Sequence, residues 1–296
     1  MDDRIYKYQR RLEVAKESLR RARTLESNRK SIEDYVRFRR VNGLSVQRQC
    51  KYIYTLKLLG ELAGEKPFKS LAKDDMISIL DSIKSTHEKS GEPKYEPSTI
   101  RDFMILWRGF IAWIHGIEDP KHEGYPKAVS WFRPKEPRNL LKPSDLMTLK
   151  EEEQLLAACC NLRDRAIISV ESECGLRPGE LLELRVKDVK IEEHCSELSV
   201  IGKTGVRAVY AIKSMPHLLA WLNVHPRRND PQAYLWGLKD GEPYAYSAFR
   251  QMLRKVVKRA KVQKPIWPYL MRHSSATDSA DSGLTEPQLD EAYGWV

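Results

Sequence analysis

Long apolar runs are missing from this chain of 296 residues. None approaches the roughly 18 residues that a membrane span needs, so the sequence offers no transmembrane helix. The opening Met1-Asp2-Asp3-Arg4 is too polar for a secretory signal. Cysteine is sparse and odd in number, with five residues (Cys50, Cys159, Cys160, Cys174 and Cys195) and no CxxC pair. His194-Cys195 has no partner at metal-ligand spacing, which argues against a structural zinc. A reduced cytoplasm is the expected setting. No Gly-x-Ser-x-Gly elbow supports a hydrolase triad. Gly202-Lys203-Thr204-Gly205 superficially looks like the end of a phosphate-binding P-loop. That motif needs a glycine where Glu197 stands and a helix where a strand is expected, so it is rejected.

What is present is positive charge. Lys plus Arg exceed Asp plus Glu by ten, 51 against 41, and the pI is near 9.3. A basic surface can be merely soluble, or it can attract phosphates and release their counterions. Placement decides between these readings. With 41% hydrophobic and 31% charged residues, the chain can bury real cores. Its length fits about two domains.

Residues 1–26 read as one charged helical extension. Ile5, Tyr8, Leu12, Ala15, Leu19 and Ala22 recur three and four apart, a stripe expected to dock on the protein's own body. Residues 27–117 read as a compact helical domain. Ile32, Tyr35 and Val36 line one helix, which Gly43 ends. Ser45 caps the next, with Cys50, Ile53 and Leu58 inward. Lys73–Asp81 is a third helix, and Pro97 starts a fourth that carries Phe103, Trp107 and Phe110. The remaining helix positions are basic: Arg37, Arg39, Arg40, Arg48, Lys51 and Lys57. Solvent faces usually mix signs, so this bias favours a nucleic-acid partner. Residues 118–143 hold five prolines among Lys and Arg and read as an extended basic linker.

The pattern restarts at residue 144. Thr148 and Glu151 form a capping box. Asp164–Cys174 is a more apolar helix, and Leu181–Leu184 belongs to a third. Val186–Ile191, Glu197–Ile201 and Arg207–Ile212 are rich in β-branched residues and read as a small antiparallel sheet. Beyond it the chain is expected to be helical to the end. Tyr246–Val262 is amphipathic, with Phe249, Met252, Leu253 and Val256 inward. Arg250, Arg254, Lys255, Lys258 and Arg259 lie outside, without one acid, a face that suits DNA.

Taken singly, the remaining signals are weak. Arg177 and Glu180, three apart, are most often a surface helix pair, and Lys203 at a hairpin tip is usually just solvated. Together with Arg272 they form an ordered set that resembles the tyrosine recombinase family (phage integrase, Xer-like) from about Ser27 to the end. Gly175, Leu176, Arg177, Glu180 and Leu181 match its Gly-Leu-Arg-x-x-Glu-Leu motif. Arg163, Asp164 and Ala166 match an upstream Arg-Asp-x-Ala stretch in which the Asp is structural. Gly202 and Lys203 match the hairpin lysine. Arg272 and His273 match His-x-x-Arg-His, and Gly294-Trp295 the later His or Trp. The chain departs from the pattern at Tyr269, which replaces the first His and could hydrogen-bond a phosphate oxygen.

The resemblance implies a mainly α fold with a small antiparallel β-sheet. It implies a two-domain DNA clamp, with a SAM-like helical core-binding domain and a catalytic domain over 144–296. Its catalytic set is Arg177, Lys203, Tyr269, Arg272 and Trp295. DNA contacts are expected from Arg37, Arg40, Arg48, Lys51, Arg250, Arg254 and Lys258. Two arginines would hold charge on the non-bridging phosphate oxygens, and Lys203 would protonate the departing 5′ oxygen. A tyrosine would form a 3′-phosphotyrosyl link. No metal or other cofactor is implied, and no carboxylate cluster offers a metal site. The nucleophile is expected about nine residues after Trp295, beyond residue 296, so this chain is expected to bind DNA without cleaving it. Tyr293 precedes Trp295 and is read as structural. The expected partner is double-stranded DNA, with a tetramer on DNA for the full-length protein and a monomer in solution for this chain. The alternatives are a non-catalytic DNA-binding regulator or excision factor that keeps the fold, and a type IB topoisomerase-like enzyme.

Overall fold

The computed structural model describes residues 3–135, 141–202, 205–238 and 240–295. The chain divides into two compact units, Lys7–Asn139 and Met1–Tyr6 with Leu140–Val296. Among the described residues no helix is long and apolar enough to cross a membrane.

The unit of residues 7–139 is helical. Its main elements are α2 (Tyr8–Arg20), α3 (Glu26–Val41), α4 (Val46–Ala63), α5 (Lys73–Lys84) and α6 (Pro97–Ile114). Helix α4 is its centre, with α2, α3, α5 and α6 all packed on it. That explains why α4 buries not only Ile53, Leu56 and Leu59 but also Gln49 and Thr55. Buried polar groups need partners. The Gln49 amide donates to the Leu44 carbonyl, and the Trp107 indole donates to the Thr55 carbonyl at 3.1 Å. Buried Asn28 joins two segments, donating to the Lys66 carbonyl at 2.9 Å and accepting from the Phe68 amide at 2.8 Å. Ser45 caps α4 as expected, accepting from the Arg48 amide.

Two readings of the sequence are corrected here. The helix expected over 1–26 is two helices. A four-residue helix α1 (Asp3–Tyr6) ends at Lys7, whose backbone is left-handed (φ 54°), and α2 starts beyond it. Leu12, Ala15 and Leu19 of the stripe enter the core of the helical unit, whereas Ile5 enters the core of the other unit. Residues 118–135 are also not a bare extended linker. Pro120–Glu123 form one helical turn, α7, and Ala128, Val129 and Phe132 are buried in the helical unit's core. Proline blocks a long helix there, but those apolar side chains still remove surface from water.

The second unit opens with α8 (Leu149–Ala157), α9 (Leu162–Cys174) and α10 (Pro178–Glu183). The Thr148–Glu151 capping box forms as the sequence indicates. Three antiparallel strands follow in the order β1 (Val189–Ile191), β2 (Ser196–Gly202), β3 (Gly205–Ala211), with Leu198 opposite Val209 and Gly202 opposite Gly205. Residues 186–188, expected in the first strand, form a 3-10 turn. Helices α11 (Met215–Asn223), α12 (Tyr246–Ala260), α13 (Pro268–Asp281) and α14 (Glu286–Tyr293) complete the unit. Helix α9 is its centre, packed against α8, α11, α13 and β3. Ala166, Ile167, Ile168 and Val170 are fully buried on it.

The expectation of helix throughout after the sheet is also corrected. Among the described residues, no helix lies between Asn223 and Tyr246. Pro226, Pro231 and Pro243 interrupt the segment, so it is pinned by side chains instead. The Trp221 indole donates to the Leu235 carbonyl at 2.7 Å, and the Trp236 indole to the Leu181 carbonyl at 2.8 Å. The mainly α composition with one small antiparallel sheet agrees with the sequence reading.

Candidate active site

Helix α9 ends at Gly175, which is left-handed (φ +51°). A Cβ there would lie 2.7 Å from the Tyr293 ring and 2.9 Å from Ser275 Oγ, so both the backbone and the available space require glycine. The sharp turn makes Arg177 the N-cap of α10. Glu180, one turn on, accepts from the Arg177 amide at 3.0 Å and from its guanidinium at 2.8 Å. Arg207 reaches the same carboxylate from β3, with Nη2 to Oε2 at 2.8 Å and Nη1 to Oε1 at 3.2 Å. Burial favours the neutral Glu180 carboxyl, but hydrogen bonds from Arg207 and Arg177 outweigh it and hold the group below the usual carboxylate range.

Arg272 enters from α13. It is 5% exposed and makes no ion pair among the described residues. Its guanidinium donates to the Gly175 carbonyl at 2.6 Å and to the Tyr293 carbonyl at 2.5 Å. Burial and then the nearby Arg177 charge lower its pKa. An arginine nevertheless stays charged at any working pH.

The three guanidiniums share one further feature. Arg207 donates to the Ala292 carbonyl at 2.9 Å, Arg272 to the Tyr293 carbonyl at 2.5 Å, and Arg177 to the Gly294 carbonyl at 2.5 Å. These are consecutive carbonyls at the end of α14, the electronegative end of a helix. Among the described residues, three positive groups thus face one paired carboxylate, Glu180, and a row of neutral oxygens. Glu171, fully buried on α9, does not offset them. Neither of its carboxylate oxygens has a hydrogen-bond partner among the described residues, and burial pushes its pKa well above the ordinary value.

Tyr293 is buried, with its hydroxyl 2.7 Å from Ser275 Oγ and 2.9 Å from Ser279 Oγ. Trp295 stacks on its ring at 5.2 Å and is 48% exposed.

The structure therefore brings Arg177 and Arg272 together, with Trp295 beside them through Tyr293. Tyr269 lies one turn before Arg272 on α13 and is 49% exposed. Lys203 lies outside the described residues. The neighbouring Gly202 reaches the site, since a Cβ on it would lie 3.0 Å from Glu180 Oε1 and 3.1 Å from Arg207 Nη1. The sequence reading assigned no role to Arg207 or Glu171. Arg207 carried one usable signal, because it shares the inward face of β3 with Val209 and Ala211.

Of the basic residues expected to meet DNA, Arg37 and Arg40 are exposed on α3, and Arg48 and Lys51 on α4. Lys51 is paired with Asp102 at 2.5 Å. On α12, Phe249, Met252, Leu253 and Val256 are buried as expected. Arg250, Arg254 and Lys258 are exposed on the same helix, and no carboxylate pairs with them among the described residues.

Comparison with known proteins shows the family. Residues 145–296 match the model of the phage integrase family. The chain belongs to that family, the tyrosine recombinases. It is 28% identical over 246 residues to tyrosine recombinase XerC of Alcanivorax borkumensis, covering 79% of this chain and 74% of that protein. Against XerD of Listeria monocytogenes the identity is 27% over 217 residues, covering 67% and 68%. The fold is similar to a solved lambda integrase dimer bound to a COC′ core site, with a TM-score of 0.69 at 13% identity over 90% of this chain and 93% of that one. It is also similar to XerH recombinase in a pre-cleavage complex with its difH substrate, with a TM-score of 0.61 at 17% identity over 99% and 89%.

Proposed function

We propose that this chain is a site-specific DNA recombinase that acts through a 3′-phosphotyrosyl intermediate. One observation carries the reading: Arg177 and Arg272, from distant parts of the chain, converge in a net-positive site where both donate to oxygen acceptors. A phosphate offers the same kind of acceptor with charge added, and guanidinium forks fit it. As the transition state builds charge on the non-bridging oxygens, Arg177 and Arg272 stabilise it. Loss of one such donor costs about 3 kcal/mol of barrier, roughly a hundredfold in rate. Lys203 protonates the departing 5′ oxygen. Tyr269, exposed one turn from Arg272, hydrogen-bonds the phosphate, and Trp295 adds an N–H donor. No cofactor takes part.

Double-stranded DNA is the partner, bound in one unit by α12 (Arg250, Arg254, Lys258) and in the other by α3 and α4 (Arg37, Arg40, Arg48, Lys51). Support comes from the single-sign face of α12 and from the DNA complexes among the related structures. The reaction runs on a tetramer in the cytoplasm. The test is a band-shift titration at several salt concentrations. Affinity should fall by about 10³-fold or more between 50 and 200 mM salt if six or more phosphates are neutralised. Arg177→Ala should keep most of the binding. A flat salt response, or loss of all binding in Arg177→Ala, would refute the reading.

A further inference from the structure

We infer that Arg207 is a positioning residue of the phosphate site, which leaves the Arg177 guanidinium available to an anion by neutralising Glu180. The inference rests on the function proposed above and goes beyond it, since no family motif used there includes Arg207. Three observations support it.

First, Arg207 takes the larger share of the carboxylate. It contacts both Glu180 oxygens, at 2.8 and 3.2 Å, whereas the Arg177 guanidinium contacts only Oε1 and directs Nη2 to the Gly294 carbonyl. Second, Arg207 is not placed to touch a substrate itself. Its side chain is 10% exposed, and its Nε, Nη1 and Nη2 are all engaged, on Ala292 and Glu180. Third, Glu180 cannot be left alone. Its side chain is 6% exposed, and a buried carboxylate that loses one partner turns to whatever cation remains. Among the described residues, the remaining cation paired with Glu180 is Arg177. Without Arg207 the two would close into a bidentate pair, which would turn Nη2 from the neutral Gly294 carbonyl to the carboxylate and neutralise the charge that Arg177 offers an anion.

This role differs from that of an ordinary structural ion pair in one respect: it acts through charge on Arg177. Removing Arg207 is therefore equivalent to removing Arg177, and removing the Glu180 charge as well reverses the effect. The experiment measures binding of a random-sequence duplex of about 30 base pairs as a function of salt. The proteins are the wild type, Arg177→Gln, Arg207→Gln, the Arg177→Gln/Arg207→Gln pair and the Glu180→Gln/Arg207→Gln pair. One lost phosphate contact lowers the salt slope by about one, so the loss of affinity between 50 and 200 mM salt becomes about fourfold smaller. Arg177→Gln and Arg207→Gln should each show that change, their combination no more than either alone, and Glu180→Gln/Arg207→Gln the wild-type slope.

A wild-type slope in Arg207→Gln would reduce Arg207 to a structural ion pair and overturn the inference. So would additive losses in the Arg177→Gln/Arg207→Gln pair, which would mean that Arg207 meets DNA directly. If Arg207→Gln fails to fold, the Glu180→Gln/Arg207→Gln pair, which buries no unpaired charge, decides the matter: a slope below wild type there overturns it. A wild type with no salt-dependent binding would refute the recombinase reading itself, a result distinct from all of these.

Discussion

Glu171 gives the sharpest quantitative test of this fold. It is fully buried on α9, neither carboxylate oxygen has a hydrogen-bond partner among the described residues, and burial raises its pKa well above the ordinary 4.5. The folded protein therefore holds a proton on Glu171 at pH values where the unfolded chain has released it. The contribution to stability is full below the unfolded value, declines as pH rises above it, and is lost once pH passes the folded value. Over that window the folded state binds one more proton than the unfolded state, so stability falls by about 1.4 kcal/mol per pH unit. Glu171→Gln keeps the shape and removes the titration. Its stability relative to wild type should therefore rise by up to about 3 kcal/mol between pH 5 and 7. The assay is urea unfolding of both proteins at pH 5, 6 and 7. Other groups cancel in the difference, including Glu152 and Asp278, whose pKa values burial also raises. Parallel stability curves for the two proteins would refute the claim that Glu171 is held neutral.

Three further outcomes follow from the same geometry. Gly175→Ala combines a left-handed backbone with a Cβ 2.7 Å from the Tyr293 ring, and should cost about 2–5 kcal/mol, read as a lowered thermal midpoint. Tyr293→Phe removes the hydroxyl shared by Ser275 and Ser279 and should cost about 1–3 kcal/mol in urea unfolding. Asn28→Ala leaves the buried Phe68 amide without its acceptor and should cost about 1–3 kcal/mol, with the faster amide exchange confined to the helical unit.

Much of this molecule was legible in the sequence because local chemistry specified it. The Thr148–Glu151 box, the Ser45 cap and the inward residues of α12 each follow from spacing and capping alone, and each is found. The two arginines were readable because their motifs are local. The misreadings share a cause. The stripe through residues 5–22 is periodic, yet Lys7 breaks the helix within it, and periodicity cannot report a single left-handed residue. The proline-rich segment was read from its breakers, while Val129 and Phe132 inside it followed the core. The segment between Asn223 and Tyr246 is held by tryptophan indoles on distant carbonyls, which no window of neighbouring residues records. Arg207 and Glu171 escaped notice for the same reason, since their partners and their burial come from elements remote in the chain.

The carbonyls of Ala292, Tyr293 and Gly294 give the site a kinetic property. On the proposed reading, a phosphate arriving at Arg177 and Arg272 finds no vacant cradle but an incumbent, tethered to the same chain and effectively always at hand. Productive engagement is then an exchange, in which the last turn of α14 peels away before the guanidiniums can close on the newcomer. Raising the DNA concentration speeds the encounter but not the peeling. Seating of a phosphate on these two arginines, as distinct from binding of the duplex, therefore levels off at the opening rate of that single turn, which makes the end of α14 the clock of the site.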